Sequence, residues 1–353
     1  MRVLIVKMSA LGDIIHALPV LDYLHQVSSG IEVDWVVEEP FREILEGNPL
    51  ISRLHCVRTK VWRKRPFSAV TRGEVSAVKA ALREREYDLV FDIQGNLKSG
   101  LVTWMTGADN RIGFEREALQ EAANLLFTTR QVPLRRQDCH ITDQYLRIVS
   151  VSFGRDFNQL QLSSDIYTSP EDDEAARTLL ATMSDGLVFL FHYGTTWQTK
   201  YWFEEAWVDL GKRLLESHPE SSILMSWGND DERAAATRLA AAIGPGVRIL
   251  DRYSLKGFAA LLKKVDLVIG GDTGPIHIAA AAGTPTVSLF RASDGKRSGP
   301  RGPGNVIVQT NIHCSPCFRT ECDKNDKCMR TIHVDDVMKA VEKALGDASG
   351  LSG

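Results

Sequence analysis

Short apolar runs alternate with stretches of helical periodicity along nearly the whole chain, and this alternation restricts the possible folds more than any other feature. In the first half the expected strands are 2–7, 32–37, 54–58, 89–93 and 111–114, with helical patterns between them. A helix over 140–151 leads into a polar stretch, 154–169, whose lack of periodicity marks a linker. Beyond it the pattern restarts with helix 171–183, strand 187–192, helix 204–217, strand 222–226, helix 231–243, strand 247–250 and helix 255–264. Two further strands follow at 267–269 and 286–290. Strand, helix and strand in succession require parallel pairing with crossover helices. Because 353 residues are long for one core, the expectation is an α/β chain of two doubly wound parallel-sheet domains, 1–160 and 161–332. No internal repeat or low-complexity tract interrupts the pattern.

Composition narrows the function classes. Apolar residues at 44% and charged residues at 25% describe an ordinary globular protein, and a net charge of -3 gives no general attraction to nucleic acid or to an anionic membrane. No segment approaches the ~20 uninterrupted apolar residues of a membrane span. A cytoplasmic protein without a nucleic-acid partner or transmembrane segment is expected.

Two glycine-bearing turns carry the chemical information. The chain opens with strand Arg2 to Lys7, a small-residue loop Ser9-Ala-Leu-Gly12, and a helix for which Asp13 is the expected N-cap. Strand, small-residue loop and helix form the ligand-site geometry of an open parallel sheet. The second turn lies in Asp266-Leu-Val-Ile-Gly-Gly-Asp272-Thr273-Gly274-Pro275-Ile-His277, between two apolar strands and at the start of an alanine-rich helix. Backbone N–H groups and the positive end of a helix dipole at such a turn suit a phosphate or diphosphate. Its spacing is neither that of dinucleotide folds nor that of nucleotide hydrolases. Asp-Thr-Gly also occurs in aspartic proteases, but there it sits in β-structure and is paired with a second copy; here a single copy opens a helix.

Four ordered motifs resemble those of the bacterial lipopolysaccharide heptosyltransferases of glycosyltransferase family 9. They are Lys7-Met-Ser-Ala-Leu-Gly-Asp13-Ile-Ile-His, Thr195-Thr196-x-x-x-Lys200-x-Trp202, Trp227-Gly228-x-x-x-Glu232 and Gly271-Asp272-Thr273-Gly274-Pro275-x-His277. The form of the first is most similar to members that add the first heptose to the Kdo residues of lipid A. The resemblance implies the GT-B architecture, two doubly wound domains facing across a cleft, with a last helix (334–345, within 333–353) returning to the N-terminal domain. It further implies an ADP-heptose donor bound by the C-terminal domain, a Kdo-lipid A acceptor at the inner membrane bound by the N-terminal domain, and inversion at the anomeric carbon. Asp13 matches the family's proposed base. The enzyme would act on the cytoplasmic side of that membrane, with peripheral association an open possibility.

On the donor side, Lys200 is expected to neutralise the leaving diphosphate. The sequence contains no Asp-x-Asp, the pattern by which many sugar-nucleotide enzymes hold a divalent ion, so metal-free chemistry without a cofactor is expected. Thr195 and Thr196 offer donors to phosphate oxygens or are turn residues before a helix. Glu232 accepts ribose hydroxyls or is a first-turn carboxylate favoured by its helix dipole. Asp272, Thr273, Gly274 and His277 would contact heptose or diphosphate, although His277 is equally readable as a buried, satisfied histidine.

On the acceptor side, 58–72 holds six cations (Arg58, Lys60, Arg63, Lys64, Arg65, Arg72) and no acid. It reads as a loop, either solvated or aimed at the phosphates and carboxylates of the acceptor. The resemblance assigns Lys60, Arg63, Lys64, Arg65 and Arg116 to the acceptor; Trp62 and Phe67 rest against lipid or simply pack. Cys314, Cys317, Cys322 and Cys328 cluster near His313, and a structural zinc site competes with unpaired thiols. Inside the family, heptosyltransferase II or another member using a different acceptor or nucleotide sugar is the alternative reading; a sugar-nucleotide epimerase of similar architecture would not need the cationic segment, and a noncatalytic binding protein would not need Asp13 and Lys200 together.

Overall fold

The computed structural model describes residues 1–349. The chain divides into two compact units, Met1–Tyr167 and a second that begins at Thr168, so the division falls inside the polar stretch.

The first unit is built on β1 (Arg2–Val6), β2 (Glu32–Glu38), β3 (Arg53–Val57), β4 (Leu89–Asp92), β5 (Arg111–Phe114) and β6 (Arg130–Val132). These form one parallel sheet in the order β3-β2-β1-β4-β5-β6. Residues 3–6 of β1 are wholly buried, as both-face coverage of a central parallel strand requires. Its helices are α1 (Leu11–Ala17), α2 (Pro19–Val27), α3 (Thr59–Lys64), α4 (Ala69–Glu84), α5 (Leu97–Met105) and α6 (Ile141–Ser150). Leu82 of α4 and Val102 of α5 join Leu4, Val6, Val36, Val57 and Val90 in one core cluster, against which Trp62 of α3 also packs. One face of the sheet therefore carries α3, α4 and α5, while α1, α2 and α6 pack on one another.

The second unit repeats this topology. It contains α7 (Pro170–Leu180), β7 (Val188–His192), α8 (Glu204–Ser217), β8 (Ser222–Ser226), α9 (Asp230–Ile243) and β9 (Val247–Ile249). It continues with α10 (Leu255–Leu262), β10 (Leu267–Gly271), α11 (Gly274–Ala281) and β11 (Thr286–Phe290). Last come α12 (Gly295–Ser298), β12 (Asn305–Gln309), α13 (Asn325–Met329) and α14 (Val334–Ser349). Its parallel sheet runs β12-β11-β10-β7-β8-β9, which is the first sheet's order read from the other edge. In both sheets the order reverses direction beside the unit's first strand, and ligands of open α/β sheets bind where this happens, outside the carboxyl ends of the strands.

The elements differ from expectation in four places. Strands β6 and β12 are absent from the sequence reading because both are sheet edges: β6 buries only Val132, and β12 is nowhere fully buried. Asp13 is not an N-cap. Ala10 holds that position, Asp13 is the third helical residue, and its carboxylate accepts the Ala10 N–H at 3.2 Å. The cationic segment 58–72 is not a loop; it folds as α3 and the start of α4, whose N-cap Ser68 accepts the Thr71 N–H at 3.0 Å. The last helix, expected to return to the N-terminal domain, packs instead within the second unit. Its stripe of Val337, Ala340, Val341 and Ala344 lies in the same core cluster as Phe189, Ile223, Leu267 and Val287. Trp202 fixes its approach by donating its indole N–H to the Ile332 carbonyl at 3.0 Å.

Candidate active site

In the first unit, the chain leaving β1 at the reversal point turns at Lys7–Ala10 into α1 and presents Asp13. The Asp13 side chain is 35% exposed, while the Lys7 side chain is buried, with Nζ 3.8 Å from Asp13 Oδ2. Tyr145 of α6 donates its hydroxyl to Asp13 Oδ1 at 3.4 Å, and its ring lies under the Lys7 ammonium at 4.7 Å. One carboxylate oxygen thus faces a cation and an amide, and the other a phenol, which together restrict the rotamer of an accessible base.

The turn is held from the neighbouring strand. Gln94, just past the end of β4, accepts the N–H groups of both Met8 and Ser9 at 3.1 Å. Its own position is set by Asp92, whose buried carboxylate accepts the Gln94 and Gly95 N–H groups at 3.1 and 3.0 Å, the Ser99 hydroxyl at 2.9 Å and the Asn124 amide at 2.7 Å. Burial pushes the Asp92 carboxyl upward while these donors oppose the rise.

In the second unit the reversal point lies between β7 and β10, and two connections meet there. The turn after β7 carries Thr195, half-buried, Thr196, exposed, and Lys200. The turn after β10 carries Asp272, Thr273 and Gly274, with His277 in the first turns of α11. Lys200 Nζ donates to Asp272 Oδ2 at 2.6 Å and to the Asp272 carbonyl at 3.2 Å, and it lies 4.5 Å over the Trp197 ring. His277 Nε2 lies 3.0 Å from Asp272 Oδ1, so both carboxylate oxygens are engaged. Burial alone would push the Asp272 carboxyl up; the His277 ring and the Lys200 ammonium outweigh it and hold it well below the usual carboxylate range. Asp272 therefore aims a lysine at the mouth of α11, whose N-cap Thr273 makes no side-chain cap and bonds back to the Gly271 carbonyl at 3.4 Å. An ammonium beside a helix N-terminus is an anion-binding arrangement.

Sequence and structure comparisons place this geometry. The model of glycosyltransferase family 9 (heptosyltransferase) matches residues 75–328. The lipopolysaccharide heptosyltransferase 1 of Pseudomonas aeruginosa is 35% identical over 326 residues, covering 91% of this chain and 87% of the relative. That of Escherichia coli K12 is 31% identical, covering 88% and 93%. The chain belongs to glycosyltransferase family 9. Among solved structures, E. coli heptosyltransferase WaaC with ADP-2-deoxy-2-fluoro heptose superposes with a TM-score of 0.77 at 29% identity, over 97% of this chain and 99% of that one. The resemblance seen in the four motifs is thus borne out, and the protein is a glycosyltransferase.

Other expected site residues of this family 9 enzyme fall as follows. Glu232, the third residue of α9, accepts the Gly228 N–H at 2.7 Å and the Asn229 side-chain amide at 3.0 Å, while Asn229 caps the Glu232 N–H. A Cβ on Gly194 would lie 2.2 Å from this carboxylate, so only glycine there lets the β7 and β8 turns meet. Lys60, Arg63, Lys64 and Arg65 are exposed, as is Arg116 in the short 3-10 turn after β5. Arg58 is not an available cation, being paired with Glu74. Trp62 packs and donates to Glu74 at 2.8 Å, whereas Phe67 is exposed. The four clustered cysteines are free thiols, and among the described residues no group of three or more His, Cys, Asp or Glu side chains comes together to hold a metal.

Lys7, Tyr145, Gln94, Trp197 and Gly194 were not singled out as site residues. Only Lys7 leaves a local signal, a cation directly after the four apolar residues 3–6 of the first strand.

Proposed function

We propose that this enzyme transfers heptose from ADP-L-glycero-D-manno-heptose to the Kdo region of lipid A, inverting the anomeric centre without a metal ion. The observation that carries the donor half is the Lys200–Asp272–His277 constellation at the mouth of α11. A diphosphate placed there would meet a fixed cation and a helix N-terminus, and the WaaC complex with an ADP-heptose analogue supports that donor class. The absence of Asp-x-Asp from the sequence supports charge neutralisation by Lys200 instead of a divalent ion. The acceptor half is supported by the heptosyltransferase 1 relatives and by the exposed cations of α3.

In this reading the acceptor hydroxyl attacks the anomeric carbon opposite the departing ADP. Its proton passes to the Asp13 carboxylate as the new bond forms, and the Lys200 ammonium offsets the charge gathering on the leaving diphosphate. Lys7 and Tyr145 set the direction in which Asp13 faces the hydroxyl.

The acceptor half is tested by changing Arg63, Lys64 and Arg65 together to Gln. Three exposed cations facing an anionic acceptor contribute on the order of tenfold in affinity, so acceptor KM should rise by about that factor and lose most of its salt dependence, with ADP affinity unchanged. Initial-rate kinetics at two ionic strengths and calorimetry with ADP read the two effects. An unchanged acceptor KM, or an equal loss of ADP binding, would return these residues to an ordinary solvated surface.

A further inference from the structure

The segment between β12 and α14, 310–333, carries the four clustered cysteines and enters neither half of the transfer reaction described above. Its backbone nevertheless bonds to the turn that bears Lys200. That turn is a single 3-10 turn, Gln198–Lys200, closed by the Lys200 N–H on the Trp197 carbonyl at 3.0 Å and the Tyr201 N–H on the Gln198 carbonyl at 3.4 Å. A helical turn this short does not hold its own conformation, so contacts from elsewhere must fix it. They come from two places. The end of β10 lies so close that a Cβ on Gly271 would stand 3.2 Å from the Lys200 carbonyl. From the cysteine-bearing segment, the Arg319 carbonyl accepts the hydroxyl of buried Thr199, and the Thr320 carbonyl accepts the Thr199 N–H at 3.4 Å.

Arg291 joins the same turn to the same segment. It directly follows β11, is 1% exposed, and forks: one terminal nitrogen donates to the Tyr201 carbonyl, the other to the Asn325 carbonyl at 2.9 Å and to Asn325 Oδ1 at 2.8 Å. Its own carbonyl accepts the Ser315 hydroxyl at 2.6 Å, and the Ala292 carbonyl accepts the N–H groups of Cys317 and Phe318 at 3.0 and 2.8 Å. Burying a guanidinium is costly, and none of these acceptors is an acid. What the planar fork supplies is a rigid link between two backbone segments.

We infer that Arg291 and Thr199 are positioning residues for the donor reaction. Through them the cysteine-bearing segment is a strut that fixes the Lys200 turn beside β10 and so aims the ammonium at the leaving diphosphate. Both side chains are buried in contacts with the protein's own backbone, so they act through Lys200 and not on the substrate. Fixing a charged group in advance matters because a displacement of about 1 Å can cost up to ~100-fold in rate. The inference rests on the donor reading of Lys200 and extends it to residues far from it in sequence.

Three substitutions test it. Thr199→Val removes the hydroxyl at nearly constant volume, Thr199→Ser keeps it, and Arg291→Met removes the fork. Each is made in the full chain, alone and together with Lys200→Met, and followed by calorimetry with ADP, initial-rate kinetics with ADP-heptose and Kdo-lipid A, and a melting curve. Thr199→Val and Arg291→Met should weaken ADP binding and lower kcat/KM for the donor by about tenfold or more, with acceptor KM unchanged. Thr199→Ser should behave as the parent. In the Lys200→Met background the same substitutions should change ADP affinity and rate by less than about twofold, because the ammonium they aim is gone. A folded Thr199→Val protein with parental ADP affinity and kcat would overturn the inference, even if Arg291→Met does not fold. Equal losses with and without Lys200 would overturn it as well, by making the strut a structural support only. If Lys200→Met itself binds ADP and turns over like the parent, the donor reading fails and the inference fails with it.

Discussion

Replacing Lys200 by Ala is expected to remove ~2–4 kcal/mol of transition-state stabilisation, the scale for one group aimed at developing charge. Lys200 is largely buried, its ammonium is fixed by the Asp272 carboxylate and carbonyl, and Trp197 lies beneath it, so it needs little reorganisation when charge develops on the diphosphate. The variant leaves Asp272 with only His277 at 3.0 Å, and some loss of stability accompanies the change. Lys200→Met, which keeps the contact with Trp197 and removes only the charge, separates the effects. Single-turnover rates and melting curves check both variants. If either folds normally and retains more than about a tenth of the parent rate, the cation that neutralises the diphosphate lies elsewhere.

Asp13→Asn is expected to lower kcat by about a hundredfold or more while ADP affinity stays nearly unchanged, the usual range for loss of a general base. The substitution is nearly isosteric, and an amide oxygen can still accept the Ala10 N–H that the carboxylate accepts at 3.2 Å, so the first turn of α1 should persist. What disappears is the charge beside Lys7 and the capacity to take a proton. Steady-state kinetics at saturating donor and acceptor, with a melting curve as the control for folding, measure this. Substantial activity in a folded Asp13→Asn protein would reduce Asp13 to a contact of the helix start and send the search for the base elsewhere.

The strands that carry the site were legible because they are central, apolar and short. Arg111–Phe114 and Ser222–Ser226 fall at the positions read from periodicity alone. Periodicity identifies a buried face without saying what buries it. The apolar stripe of α14 was therefore visible, while its partner, the β7, β8, β10 and β11 face of its own unit, was not. The cationic segment misled for a related reason: a run of like charges reads as a loop, but Trp62 and Glu74 staple it as a helix onto the core. Edge strand β6, with one buried residue, has no periodicity to read.

The site divides in the same way. Asp13 and Lys200 lie at glycine-bearing or strand-end turns, where the local pattern already points to a ligand, and Asp272 opens a helix after a strand. Their partners come from far along the chain. Tyr145 meets Asp13 across 132 positions, Gln94 reaches Ser9 across 85, and Lys200 finds Asp272 across 72. The last two pairs are made by the strand order, which brings the ends of β1 and β4, and of β7 and β10, side by side, and the first by the packing of α6 on α1.

The central claim, heptose transfer to the Kdo region, is tested most directly by the mass of the product. Purified protein in EDTA is incubated with ADP-L-glycero-D-manno-heptose and either Kdo-lipid A or its mono-heptosylated form. One added heptose on Kdo-lipid A, and none on the heptosylated acceptor, is the expected result. Heptose added only to the already heptosylated acceptor, or a product that forms only when a divalent metal is restored, would contradict it.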